Sequence, residues 1–142
     1  KSSRLHKNLV EEKQIFSNIS SYILGSVDPG LMVITGKLAD GVGFEVAEAE
    51  IDLITKSILT NGVKEDELIK VKNQAVSSIL FGEVEVLNRA MNLAFYDILG
   101  DPNLANSEIP KIQQVTKDDI VEAENEILLK NNSSVLYYKA NQ

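Results

Sequence analysis

The chain has no cysteine and no tryptophan, one histidine, three prolines and eight aromatic rings of Phe and Tyr among 142 residues. Each scarcity excludes something. Without cysteine there is no disulfide, no thiolate nucleophile and no Cys-based zinc site, and the redox compartment stays open. With His6 alone, the two or three converging imidazoles of a histidine zinc site cannot be assembled. Basic charge is also short, 14 Lys and Arg against 21 Asp and Glu for a net −7. That balance repels a phosphate backbone, and no basic cluster longer than two residues offsets it, so nucleic acid is excluded as a partner. No apolar run approaches the roughly 20 residues of a transmembrane helix.

What is present is an ordinary globular composition, 44% hydrophobic and 25% charged, at the length of one domain. A chain of this size buries roughly 68–70% of its unfolded surface and sustains a core without staples. It begins Lys-Ser-Ser, and is read as a segment of a longer protein.

The pattern along the chain is mixed. "SRLHKNLVEEK" (3–13) suits a short helix capped by Ser2 or Ser3, with Leu5 and Leu9 on one face. From Ile15 the period changes to two, with Ile15, Ser17, Ile19, Ser21 and Ile23 facing one way and Phe16 to Leu24 the other. "VDPG" (27–30) is a turn and "LMVITGKL" a second strand, so residues 15–38 are expected to form an antiparallel hairpin. Helical stripes follow: Phe44, Ala47, Ile51, Ile54 and Ile58; then Leu68, Val71, Ala75 and Ile79; then Leu87, Met91, Ala94 and Ile98. Asn61-Gly62 ends the first, Gly82 kinks or divides the next stretch, and "GDPN" (100–103) stops the last. "VTKDDI" (115–120) starts another helix, with Thr116 as cap, Asp119 at the third position, and Ile120, Ala123 and Ile127 facing inward. "SVLYYKA" (134–140) alternates as a third strand. The expected class is α+β: an antiparallel sheet, from the hairpin 15–38 and the strand 134–140, covered by amphipathic helices in a two-layer sandwich.

No self-contained active site emerges. His6 reads as a surface histidine. The acidic runs 48–50, 65–67 and 117–119 lie in or near helix first turns, where carboxylates favour the positive end of the helix dipole. "GKLADGVG" (36–43) does not match a phosphate-binding loop, and the serines lack a His-Asp set. No catalytic and no metal-ligating residue is assigned.

The wording nevertheless resembles a known family. "SSRLHKNLVEEKQIFSNISSYILGSVDPGLMVITGKL" is similar to the C-terminal structural domain of insulinase/pitrilysin-type zinc peptidases, the inverzincins. "NGVKEDELIKVKNQ", "ILGDPN" and "VTKDDIVEAENEIL" before "SVLYYKA" follow in the family's order, so the resemblance runs along essentially all of 1–142. It implies one partial C-terminal domain of a larger clamshell peptidase, missing its own first strands. Zinc would sit on an H-x-x-E-H motif in an upstream domain, with the motif Glu as general base; none of those residues is present here. The partners implied are that upstream domain or a partner subunit, and a peptide substrate for the parent. An envelope location fits the bacterial resemblance. Related domains carry a substrate-contacting Arg and, seven residues later, a Tyr; Val10 and Ser17 stand at those positions. Either this domain follows the zinc-bearing one, where the pair is not expected, or it belongs to an inactive paralogue acting as a scaffold. A further alternative is an unrelated small α+β binding module.

Overall fold

The computed structural model describes residues 3–25 and 28–139. The α+β class holds, as two antiparallel strands and five α-helices among those residues. Strands β1 (Phe16–Leu24) and β2 (Leu31–Leu38) form the expected hairpin, followed by α1 (Phe44–Asn61), α2 (Glu65–Gly82), α3 (Val86–Ile98), α4 (Glu108–Gln114) and α5 (Lys117–Ile127). The chain forms two compact units, one of residues 1–61 with 123–142 and one of residues 62–122.

The core of the first unit is Leu9, Ile15, Phe16, Ile19 and Ala47, with Val10, Ile34, Leu38, Ile51 and Ile54 packed around it. Phe16 and Ile19 are both buried, although strict alternation puts them on opposite faces. The register explains this. Phe16 pairs with Leu38 but Asn18 with Lys37, so Ser17 is the extra residue of a β-bulge. One inserted residue shifts the alternation by one, and residues three apart then share a face. The two-residue period assigned from Ile15 onward therefore breaks at Ser17. Gly36 accommodates the result: a Cβ there would lie 2.7 Å from Phe16 Cδ1, so only hydrogen lets the ring cover this strand.

The helix expected over 3–13 is a π-helix, His6–Glu12. Lys13 N–H donates to the Asn8 carbonyl five residues back at 2.9 Å, and Ile15 N–H reaches Leu9 O at 2.9 Å. Between them Gln14 takes φ 51°, the left-handed conformation that glycine usually supplies after a helix. At the front, Ser3 Oγ accepts from His6 N–H at 3.4 Å, while Ser2 lies outside the described residues.

The strand expected over 134–140 does not form across 134–139, and Ala140 lies outside the described residues. The sheet has two strands, β1 and β2. A strand needs a ladder, and this segment's anchorage is to a helix instead. The Tyr137 ring stacks on Phe44 at 4.9 Å between centroids, and its O–H donates to Glu48, both on α1.

In the second unit α2 ends at Gly82 and α3 starts four residues later, so Gly82 divides the helical stretch. Gly62 (φ 64°) ends α1, and Asp101 before Pro102 is extended (φ −151°), as the breaker signals required. Asp101 Oδ1 accepts from Asn103 N–H at 2.9 Å. The Thr116–Asp119 capping box is complete. Asp119 N–H donates to Thr116 Oγ1 at 3.2 Å, and Thr116 N–H donates back to Asp119 Oδ2 at 2.7 Å. Along α5, however, the buried position is Glu124, while Ala123 and Ile127 are exposed. The inward face is thus turned by one residue from the expected stripe.

Candidate functional site

Three backbone irregularities crowd into the corner that leads into the hairpin: the π-helix, left-handed Gln14 and the bulge at Ser17. Each kind is over-represented at functional sites, because each re-aims side chains that regular geometry would place elsewhere. This corner is also where the sequence puts Val10 and Ser17. The structure sends the two side chains to different tasks. Val10 is half-buried and packs against the core cluster. Ser17 is exposed, and its hydroxyl donates to Lys37 O across the ladder at 3.1 Å. A valine offers hydrocarbon only, and the serine hydroxyl's proton is engaged by a backbone carbonyl. Neither supplies the charge or the reach of an Arg and a Tyr.

The corner is braced from outside. Lys13 Nζ pairs with Glu50 of α1. Asn8 Nδ2 donates to Arg4 O at 2.8 Å. His6 is less exposed than a surface histidine, with its side chain 20% accessible and its Nδ1 3.4 Å from Glu11 Oε1. His6 Nδ1 makes no hydrogen bond, and one imidazole beside one carboxylate does not make a zinc site.

The acidic runs are engaged in the fold. Glu65, Asp66 and Glu67 occupy the first turn of α2, and Asp118 and Asp119 that of α5. Glu48 and Glu50 lie one turn inside α1 rather than at its start, and hold Tyr137 and Lys13. Glu65 pairs with Lys117 at 3.0 Å. Hydrogen bonds from the Thr116 backbone, then from its hydroxyl, hold Asp119 below the usual carboxylate range. Among the described residues no group of three His, Asp or Glu is placed to hold a metal ion.

One buried acid was not anticipated. Glu124 is 5% exposed, and neither carboxylate oxygen has a hydrogen-bond partner. Burial pushes its carboxyl up, and the Arg4 charge partly opposes that. Sequence gave no sign of it, because a glutamate on a charged helix reads as solvated.

No family model matches the chain, and no curated protein does. Solved structures do match. The inactive peptidase domain of a candidate zinc protease from Bordetella parapertussis superposes with a TM-score of 0.85 at 19% identity, over 99% of this chain and 76% of that one. A protease from Helicobacter pylori gives 0.84 at 19% identity, over 93% of this chain and 32% of that one. A candidate zinc protease from Bordetella pertussis gives 0.79 at 20%, over 92% and 72%. The chain shares their fold. It spans about a third of the Helicobacter protein and about three quarters of the other two. Within this fold, the chain's own corner carries Val10 and Ser17, and its one histidine, His6, lies in the π-helix.

Proposed function

We propose that the chain is a supporting, non-catalytic domain of a zinc-peptidase-like protein. Its contribution is a wall of the chamber that encloses a peptide, and hydrolysis is carried by a zinc motif in an upstream domain. The observation that carries this reading is the superposition on an inactive peptidase domain over 99% of the chain. The replacement of the Arg/Tyr pair by a core valine and a ladder-bonded serine supports it. An envelope location goes with this reading.

The test is direct. The purified 142-residue chain is assayed against a mixed peptide library, with and without a metal chelator, and its zinc is measured. No cleavage and no stoichiometric zinc are expected. Cleavage by the chain, with or without chelator, or stoichiometric zinc in it, overturns the proposal. A second reading, a scaffold subunit whose parent has lost catalysis, is also compatible with the likeness to that inactive peptidase domain. The two readings part at the zinc content of the parent.

A further inference from the structure

The second unit has one buried apolar side chain among the described residues, Leu68. Its most prominent uncovered feature is the outer stripe of α3. Leu87, Met91, Ala94 and Ile98 recur at spacings of 4, 3 and 4, and Val84 stands in the turn just before the helix. The large side chains among these, Val84, Leu87, Met91 and Ile98, are 75, 70, 62 and 80% exposed. Such a seam is complementary to a second helix with the same spacing, and continuous apolar surface of this kind marks an interaction site.

Beside the stripe, residues of α2, α3 and α4 line a shallow, open cleft of about 290 Å³. Ile79 and Met91 line it with hydrocarbon; Ser78, Asn92 and the Glu108 carboxylate give it polar groups. Glu108 is held in place by the Tyr96 hydroxyl, which donates to Glu108 Oε1. That hydrogen bond, ahead of burial, pushes the Tyr96 phenol up to about 12, so it stays a donor at every physiological pH. Charge along this stretch is mainly acidic. Residues 81–101 contain Glu83, Glu85, Asp97 and Asp101 against Arg89 alone.

We propose that this face docks an amphipathic helix of a basic partner, whose apolar row lies along Leu87, Met91 and Ile98 and whose Lys or Arg enters the cleft toward Glu108. An apolar row alone would suit many occupants; the acidic surround selects a cationic one. A second copy of this chain, itself at −7, meets repulsion there. The inference concerns a surface separate from the hairpin corner and does not depend on the peptidase-like reading.

The probe is a fluorescein-labelled, end-blocked 18-residue helical peptide with leucines spaced 4, 3, 4 and lysines flanking them. It is titrated with the full 142-residue chain and followed by anisotropy. The lysine peptide is expected to bind about tenfold or more tighter than its glutamate-flanked counterpart, one charge-assisted contact being worth about that factor. Glu108→Gln is expected to narrow the difference between the two peptides, and Leu87→Ser or Ile98→Ser to weaken both. Leu87 and Ile98 are exposed, so their substitution leaves the circular dichroism spectrum unchanged. Equal affinity for the two peptides, no binding of either, or binding indifferent to Leu87 and Ile98 overturns the proposal. So does sedimentation showing self-association that Leu87→Ser abolishes, because a second copy would then be the occupant.

Discussion

Gly36→Ala is the sharpest single perturbation of the first unit. The added methyl would lie 2.7 and 2.8 Å from Cδ1 and Cε1 of Phe16 and 3.1 Å from the Asn18 carbonyl oxygen. Real Cβ contacts do not come so close, so something must move. The carbonyl belongs to the β1–β2 ladder, and the Phe16 ring is packed with Leu9, Ile15, Ile19 and Ala47. Neither yields without loosening the core. Overpacking of this kind costs about 1–3 kcal/mol, and replacing glycine within a strand returns about 0.5–1 kcal/mol of backbone entropy. The net expectation is destabilisation by about 1–2 kcal/mol, which for a chain of this size lowers Tm by roughly 3–8 °C. Thermal unfolding followed by circular dichroism measures it. Phe16→Leu in the same chain should relieve part of the clash, giving a double mutant more stable than the sum of the single losses. An unchanged or raised Tm in Gly36→Ala, or strict additivity with Phe16→Leu, refutes the packing of Phe16 over Gly36.

Gln14→Gly should stabilise the chain by about 0.5–1 kcal/mol, since it removes a side chain from a left-handed backbone at φ 51°; urea unfolding reads this, and a loss of stability counts against the corner's geometry. Thr116→Ala should cost about 1 kcal/mol through loss of the cap. Because Asp119 is held below its ordinary range, the capping contribution is present above the unfolded value and lost as pH falls through the folded one. The acid side of the stability curve should therefore flatten in Asp119→Asn, and an unchanged acid limb contradicts the box. Glu124 has the opposite sign: its carboxyl is raised by burial, so the folded state holds the extra proton and stability falls as pH rises through that window. Glu124→Gln removes the charge while keeping a polar side chain, so it should raise stability near pH 7 with little change near pH 4, and a loss at pH 7 refutes the orphaned carboxylate.

What was legible in the sequence was local. The Thr116–Asp119 box, the Gly62 stop and the extended Asp101 before Pro102 depend on residues within three or four positions, and all appear as read. The hairpin was legible for the same reason. Long-range partners were not. "SVLYYKA" alternates like a strand, but alternation cannot reveal that Tyr137 is held by Phe44 and Glu48 rather than by a ladder. The bulge was hidden because two-residue counting assumes an unbroken ladder, and the π-helix because no residue type encodes it. Helix α4 was passed over: Pro110 in "EIPKIQQ" looks like a breaker, yet in a first turn its missing N–H has no carbonyl to lose. The corner was singled out by position alone, while its geometry came only with the fold. Val10 was placed by resemblance, and only packing showed why it is apolar.

On the proposed reading, hydrolytic metal chemistry would belong to an upstream region of a longer parent and not to these 142 residues. The most direct measurement is zinc per chain, by elemental analysis, on the full reading frame containing this segment and on a version from which the upstream region is removed. The account predicts about one zinc in the first and none in the second. A zinc that persists in residues 1–142 after the upstream region is gone would contradict it, and no zinc in either would transfer the chain to the scaffold-subunit reading.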